Sequence, residues 1–327
     1  MKTILCTGDS HTWGQGGSGW EVMGAVESGE KRLVDFGCNG YVNQLRRFLA
    51  DRGLSADEEV TAETLHRVHG LPMSESGALL ARALELETAA ELVRIQFLGT
   101  AGGYTALIRL NGEEVQRLYM PPAETGYIRN AALFTKSSGK RQRLVIEPTE
   151  GDACVYRIEL YGGAWAVINA GIGSCTSARY LEAYWQEYVA AYRPSVIVME
   201  AHSINDWLSN QPPAVCGESV GRLIDAGLRL GGRVLLLTVS PILGGQRNAA
   251  GVAYEDYVQE SRRVAGTYGV PLCDANTRMK KELRGLSADE ARAGLFADDW
   301  HVNDRGHRLY AEELWKKLNN MRKGSQA

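Results

Sequence analysis

Four short segments of the sequence carry residue types that could act together in one active site. They are GDSH at residues 8–11, NAGIG at 169–173, SIND at 203–206 and DDWH at 298–301. Each of the first three directly follows an apolar stretch that is typical of a buried strand. Because ligands of open parallel sheets bind outside the carboxyl ends of the strands, we expect these segments to meet at one edge of a sheet.

These residue types match the requirements of acyl transfer. That chemistry needs a nucleophile, a base, a group that orients the base, and donors that stabilise an oxyanion. Ser10 can act as the nucleophile and His301 as its base. Asp298 lies three residues before His301 and can hold the second ring nitrogen. Asn205 offers a side-chain amide, and Gly171 offers a backbone N–H that no side chain obstructs.

The surrounding sequence predicts an α/β domain that positions these groups. Residues 2–6 predict a first buried strand, and a long glycine-rich stretch comes next, which we expect to be a functional loop. Further strands are predicted at 165–169, 196–200, 234–238 and 270–273, and helices at 178–192, 219–230, 254–268 and 304–321. Apolar strands that alternate with helices indicate a parallel sheet covered on both faces.

The middle of the chain has another pattern. Alternating apolar residues between about 93 and 160, with Asn111-Gly112 as a hairpin turn, predict a β-rich segment resembling a small sandwich. We therefore expect a discontinuous catalytic domain, 1–56 and 164–327, interrupted by an inserted β domain at 57–163. The insertion could present an oligosaccharide to the site, or it could serve packing or homo-oligomerisation. The sequence favours neither.

Composition limits the partners. The 327 residues carry a formal net charge of -3, so we expect no nucleic-acid partner. No stretch approaches the ~20 apolar residues that cross a bilayer, so no membrane partner is expected. GDSH begins at residue 8, which leaves no room for a signal peptide; this favours a cytoplasmic protein, or a secreted one if a leader has been removed. The six scattered cysteines predict reduced, buried thiols.

Taken together, the four segments resemble the four blocks of the SGNH/GDSL hydrolases, a family of serine esterases. The resemblance covers about two-thirds of the chain and implies a three-layer, flavodoxin-like fold. It also implies that Ser10 is the nucleophile and that Asp298 and His301 are its partners. The backbone N–H groups of Ser10 and Gly171, with the amide of Asn205, would form the oxyanion hole.

The chain departs from the family's pattern at two positions. Ser203 replaces the usual glycine of the third block, and His11 replaces the usual leucine of the first. Neither change removes a group that the chemistry needs. Asp299 is the alternative orienter of His301, although the spacing favours Asp298.

The resemblance implies hydrolysis of small O-acyl esters, acetyl first among them and carried on carbohydrate, through an acyl-enzyme. The alternative is a non-catalytic glycan-binding protein on a retained hydrolase fold, against which the intact set of reactive groups argues. We expect four neighbours of the catalytic groups to bind the substrate: His11, Trp13, His202 and Trp300.

No metal or other cofactor is expected. His66 and His69 lie three residues apart, but no cysteine or carboxylate spacing supports a metal site. Residues 14–19 match G-x-G-x-x-G, with Asp35 further on, as in dinucleotide-binding sites. That motif should begin where the strand ends and open a helix, whereas in this sequence the strand ends near Thr7 and glycines interrupt the next stretch of chain.

Overall fold

The computed structural model describes residues 1–20, 36–74, 77–122, 128–135 and 140–324, with side chains as far as residue 321. The described chain forms two compact units, one of residues 52–166 with Met1, the other of residues 2–20, 36–51 and 167–324. The predicted domain boundaries at 56 and 163 remain a prediction. Asp35 and much of the predicted glycine-rich loop lie outside the described residues.

In chain order, the described strands are β1 (Lys2–Gly8), β2 (Glu58–Thr61), β3 (Ala78–Leu80), β4 (Leu84–Thr88), β5 (Leu92–Leu98), β6 (Tyr104–Leu110), β7 (Glu113–Met120), β8 (Ile128–Phe134), β9 (Gln142–Glu150), β10 (Ala153–Tyr161), β11 (Trp165–Gly171), β12 (Val196–Glu200), β13 (Arg233–Leu237) and β14 (Leu272–Cys273). The described α-helices are α1 (Ser10–Trp13), α2 (Tyr41–Ala50), α3 (Ala62–His69), α4 (Ser177–Arg179), α5 (Trp185–Tyr188), α6 (Ser203–Leu208), α7 (Pro213–Arg229), α8 (Tyr254–Tyr268), α9 (Ala275–Glu282), α10 (Ala288–Leu295) and α11 (Asp304–Gly324).

The larger unit is built on a five-stranded sheet in the order β11-β1-β12-β13-β14. The pairs β1/β12, β12/β13 and β13/β14 are parallel. Counted along this unit, the strand order is 2-1-3-4-5, which is the flavodoxin-like order. The predicted fold is thereby confirmed. β12 is buried along its whole length, in keeping with the apolar sequence of its first four residues.

Most predicted helices of this unit are present, with two differences. The helix predicted at 178–192 is divided into α4, a π-helical turn (Tyr180–Tyr184), α5 and a 3₁₀ turn (Ala190–Tyr192). The wider turn lies where Tyr180 donates a hydrogen bond to the Ala170 carbonyl at 2.6 Å, a tertiary contact that periodicity does not reveal. α7 begins at Pro213, six residues before the predicted start, and proline suits the first turn of a helix.

The smaller unit contains two antiparallel sheets. One has the order β2-β10-β5-β8, with β3 also paired to β10, and the other has the order β4-β9-β6-β7. Asn111 and Gly112 join β6 to β7 with φ values of 52° and 89°, the left-handed pair that a two-residue hairpin turn requires. The predicted β-rich segment and its hairpin are therefore confirmed.

The cysteines and helices add two findings. All six cysteines are buried thiols, as the sequence predicts for residues that pack as small hydrophobes. Among the helices of the described ranges, none combines the length and apolar character needed to span a membrane.

Candidate active site

The first segment forms a tight turn between β1 and α1. Ser10 is the first residue of α1, and Asp9 caps that helix by accepting a hydrogen bond from the His11 N–H at 3.0 Å. Gly8 is required here because a Cβ at this position would lie 2.2 Å from Glu200 Oε2 and from Thr12 Oγ1. The sequence thus places Ser10 at the carboxyl end of the sheet.

Ser10 and His301 meet although 291 residues separate them. Ser10 Oγ lies 2.9 Å from His301 Nε2, and both side chains are nearly buried. His301 lies between the short helix α10 and the start of α11. A hydroxyl and an imidazole at this separation form the nucleophile–base contact that acyl transfer requires.

Asp298 orients this imidazole. Asp298 Oδ2 lies 2.7 Å from His301 Nδ1, and Asp298 Oδ1 accepts hydrogen bonds from the backbone N–H groups of His301 at 2.7 Å and Trp300 at 2.8 Å. Partial burial raises the pKa of Asp298, but the hydrogen bonds from His301 outweigh it and hold the pKa well below its usual range. An ionised Asp298 fixes the tautomer in which Nδ1 carries the proton.

Asp299 is directed elsewhere. Its carboxylate pairs with Arg292, and its backbone carbonyl accepts a hydrogen bond from the Leu243 N–H at 3.0 Å. The structure therefore brings Asp298, and not Asp299, to His301.

Asn205 lies on α6 and is positioned by the first segment. Its Nδ2 donates to Asp9 Oδ2 at 2.7 Å. Because an amide group carries two hydrogens, this bond leaves one N–H to donate to a substrate oxygen. Asp9 is fully buried; burial raises its pKa, but its contacts with His11 outweigh burial and leave the pKa well below its usual range.

Gly171 ends β11 beside α1. A Cβ on Gly171 would lie 2.2 Å from the Trp13 nitrogen, so only glycine allows this close approach of the two backbones. The Gly171 N–H, however, donates to Asn169 Oδ1 at 2.9 Å. As an oxyanion donor, this N–H would first have to leave Asn169.

The four residues expected to bind substrate occupy different surroundings. His11, Trp13 and His202 have no exposed surface, whereas Trp300 is partly exposed and packs against a cluster that includes Trp207. His202 Nδ1 lies 2.9 Å from the Cys175 carbonyl, and burial lowers the pKa of its ring. Burial disfavours substrate contact for His11, Trp13 and His202, because a buried side chain can reach substrate only if its cover moves.

Sequence reasoning missed one carboxyl group of the site. Glu200 at the end of β12 is fully buried, and its Oε2 accepts from the Asp9 N–H at 2.6 Å while its Oε1 accepts from the His202 N–H at 2.9 Å. Burial and the charge of Asp9 raise the pKa of Glu200 well above its usual range. The sequence feature that could have pointed to Glu200 was a single carboxylate at the end of an otherwise apolar strand.

Asp206, next to Asn205, holds the loop after β11. Its carboxyl group accepts from the Ser177 N–H at 2.9 Å and the Ser177 hydroxyl at 2.7 Å. Burial raises the pKa of Asp206 to about 7. This contact ties α4 to α6 and so places the β11 loop relative to Asn205.

His66, one of the two histidines that lie three residues apart, contacts the backbone nearby. His66 Nδ1 lies 2.6 Å from the Leu71 carbonyl. Over the ranges that the structure describes, no group of three or more histidine, cysteine, aspartate or glutamate side chains is arranged to hold a metal ion.

Part of the chain matches a known protein family. Residues 150–309 match the family model described as GDSL-like Lipase/Acylhydrolase family, a range that includes the second, third and fourth segments. The chain is a carboxylic ester hydrolase. No match was found among curated protein sequences.

Three solved structures are similar to parts or all of the chain. A peptidoglycan O-acetylesterase is 14% identical, with 99% of this chain and 92% of that chain covered and a TM-score of 0.49. A protein from Bacillus subtilis is 13% identical over 73% of this chain and 80% of that chain, with a TM-score of 0.46. Axe2, an acetylxylan esterase from Geobacillus stearothermophilus, is 18% identical over 47% of this chain and 72% of that chain, with a TM-score of 0.40.

Proposed function

We propose that the chain is a serine esterase that removes small O-acyl groups, acetyl first among them, from carbohydrate. Ser10 is the nucleophile, His301 the base and Asp298 its orienter. The observation that carries this proposal is the continuous contact from Ser10 Oγ to His301 Nε2 at 2.9 Å and from His301 Nδ1 to Asp298 at 2.7 Å. This is the arrangement of a serine nucleophile with its base and orienting carboxylate.

Acylation begins when Ser10 Oγ attacks the ester carbonyl while His301 Nε2 accepts the hydroxyl proton. The imidazolium that forms is stabilised by Asp298, which remains ionised. The carbonyl oxygen becomes negatively charged, and the second N–H of Asn205 and the Ser10 backbone N–H are its proposed donors. The Gly171 N–H would be the third donor, after it leaves Asn169 Oδ1.

The tetrahedral intermediate then breaks its bond to the alcohol oxygen, which takes the proton from His301 and leaves. Water next attacks the acyl-Ser10 carbonyl and gives its proton to His301. Collapse of the second intermediate breaks the Ser10–acyl bond, returns the proton to Ser10 Oγ and releases the carboxylic acid. Each group of the enzyme thereby returns to its starting state.

The preference for acylated carbohydrate rests on the family resemblance and on the antiparallel sheets of residues 52–166. The first test is turnover of p-nitrophenyl acetate by the full chain. A panel of acetylated xylan, chitin, peptidoglycan and pectin fragments then tests the alcohol, with released acetate as the readout. Turnover of the small ester without release from any glycan would overturn the carbohydrate assignment. Glycan binding without any turnover would instead favour a non-catalytic protein.

A further inference from the structure

A second buried aspartate–histidine pair lies beside the proposed catalytic pair. His11 Nδ1 lies 3.2 Å from Asp9 Oδ1, and His11 Nε2 lies 3.0 Å from the backbone carbonyl oxygen of Trp300. The His11 and His301 ring centroids are 5.2 Å apart. Because His11 has no exposed surface, these contacts are made away from solvent.

Both nitrogens of His11 face oxygens that can only accept. A backbone carbonyl has no hydrogen to donate, and neither has an ionised carboxylate. Each oxygen of Asp9 also accepts another hydrogen bond, Oδ1 from the His11 backbone N–H and Oδ2 from Asn205 Nδ2, as an ionised carboxylate does. Ser240 Oγ lies 3.2 Å from the same Nε2, and a hydroxyl can accept as well as donate. Only a ring with a proton on each nitrogen satisfies Asp9 and Trp300 together.

We propose that His11 is a positioning residue, held as an imidazolium, that joins the oxyanion-binding amide to the catalytic base. Asn205 Nδ2 donates to Asp9 Oδ2 at 2.7 Å, and His11 donates to Asp9 Oδ1 and to the carbonyl of Trp300, the residue before His301. Ser10 lies between Asp9 and His11 in the sequence. One chain of hydrogen bonds thus fixes the three segments that carry the reacting groups; this inference rests on the proposed function.

The test compares His11→Leu with Ser240→Ala, using p-nitrophenyl acetate near neutral pH. His11→Leu should lower kcat by about 10- to 100-fold with little change in KM, because misplaced reacting groups cost rate rather than binding. Ser240→Ala keeps the Asp9 and Trp300 contacts and should retain the wild-type kcat and KM. An unchanged kcat in folded His11→Leu, or an equal loss in Ser240→Ala, overturns the proposal.

A second measurement does not need the variant to fold. In wild-type protein with ¹⁵N-labelled histidine, NMR at neutral pH should show protons on both ring nitrogens of His11, identified by its contacts with the rings of His301 and Tyr310. A single proton on that ring overturns the proposal. This readout is independent of ester turnover. Full activity in Ser10→Ala would therefore overturn the proposed function and leave the protonation result as it stands.

Discussion

Replacing Asp298 with asparagine should give the His301 ring the wrong tautomer. Asp298 Oδ1 accepts two backbone N–H groups, from Trp300 and His301, so the amide oxygen of the introduced asparagine would take that place. The amide NH₂ would then face His301 Nδ1, where Oδ2 now lies at 2.7 Å. A donor at this position favours the tautomer with its proton on Nε2, which cannot accept the proton of Ser10.

The size of the effect depends on this tautomer change and on exposure. The corresponding aspartate-to-asparagine change in a serine protease lowers kcat about 10⁴-fold. The Asp298 side chain is 50% exposed, so water can partly replace the lost acceptor. We therefore expect kcat to fall by about 10² to 10⁴-fold, or about 3 to 5 kcal/mol in the barrier.

Asp299→Asn is the matched control. Its partner Arg292 has a side chain that is 52% exposed, and Asp299 is 47% exposed, so the pair should contribute at most about 1 kcal/mol to stability. Both variants are assayed with p-nitrophenyl acetate near neutral pH, and thermal melting checks that each is folded. We expect wild-type kcat for Asp299→Asn. A full loss in Asp299→Asn, or wild-type kcat in Asp298→Asn, would contradict the orienting role of Asp298.

Two further predictions concern the oxyanion hole and acid stability. Asn205→Ala should lower kcat by about 10²- to 10³-fold with little change in KM, since its free N–H acts mainly in the transition state; a large rise in KM at constant kcat would make it a substrate-binding residue. Burial lowers the pKa of His307 to about 3, and the ring donates from Nε2 to the Gln15 carbonyl and accepts at Nδ1 from the Tyr41 N–H. Below the ordinary histidine pKa of about 6.5, the unfolded chain binds a proton at His307 but the folded chain does not. The neutral His307 ring therefore contributes no penalty above about pH 6.5, and the folded state loses stability relative to the unfolded state as the pH falls from about 6.5 towards about 3. His307→Gln, which keeps a donor and an acceptor, should flatten that part of the unfolding free energy measured by denaturant titration; an unchanged slope would refute the neutral ring.

The sheet and the reactive groups could be predicted from the sequence because their signals are local. An apolar strand with a polar segment directly after it marks a carboxyl end, and parallel strands bring such ends together. The two-residue turn at Asn111 was visible for the same reason. By contrast, the break in the helix predicted at 178–192 depends on the contact of Tyr180 with Ala170, which no local pattern encodes.

Burial and side-chain partners were the parts that the sequence could not provide. His11 and His202 have the residue types of substrate-binding groups, but their exposure depends on the whole fold, and both are buried. Glu200 gave only a single carboxylate at a strand end.

Asn169, by contrast, gave a usable signal, because an asparagine side chain often bonds the backbone N–H two residues ahead, as it does here with Gly171.

Covalent labelling of Ser10 tests the central claim most directly. A serine-directed fluorophosphonate reagent should modify wild-type protein at Ser10 alone, as mass spectrometry of the digested protein would show, and should abolish ester turnover in step with labelling. Ser10→Ala should resist the reagent and lose about 10⁵-fold or more in kcat, as expected for a nucleophile whose removal disables the whole catalytic set. Labelling at another serine, or wild-type turnover by Ser10→Ala, would contradict the assignment of Ser10 as the nucleophile.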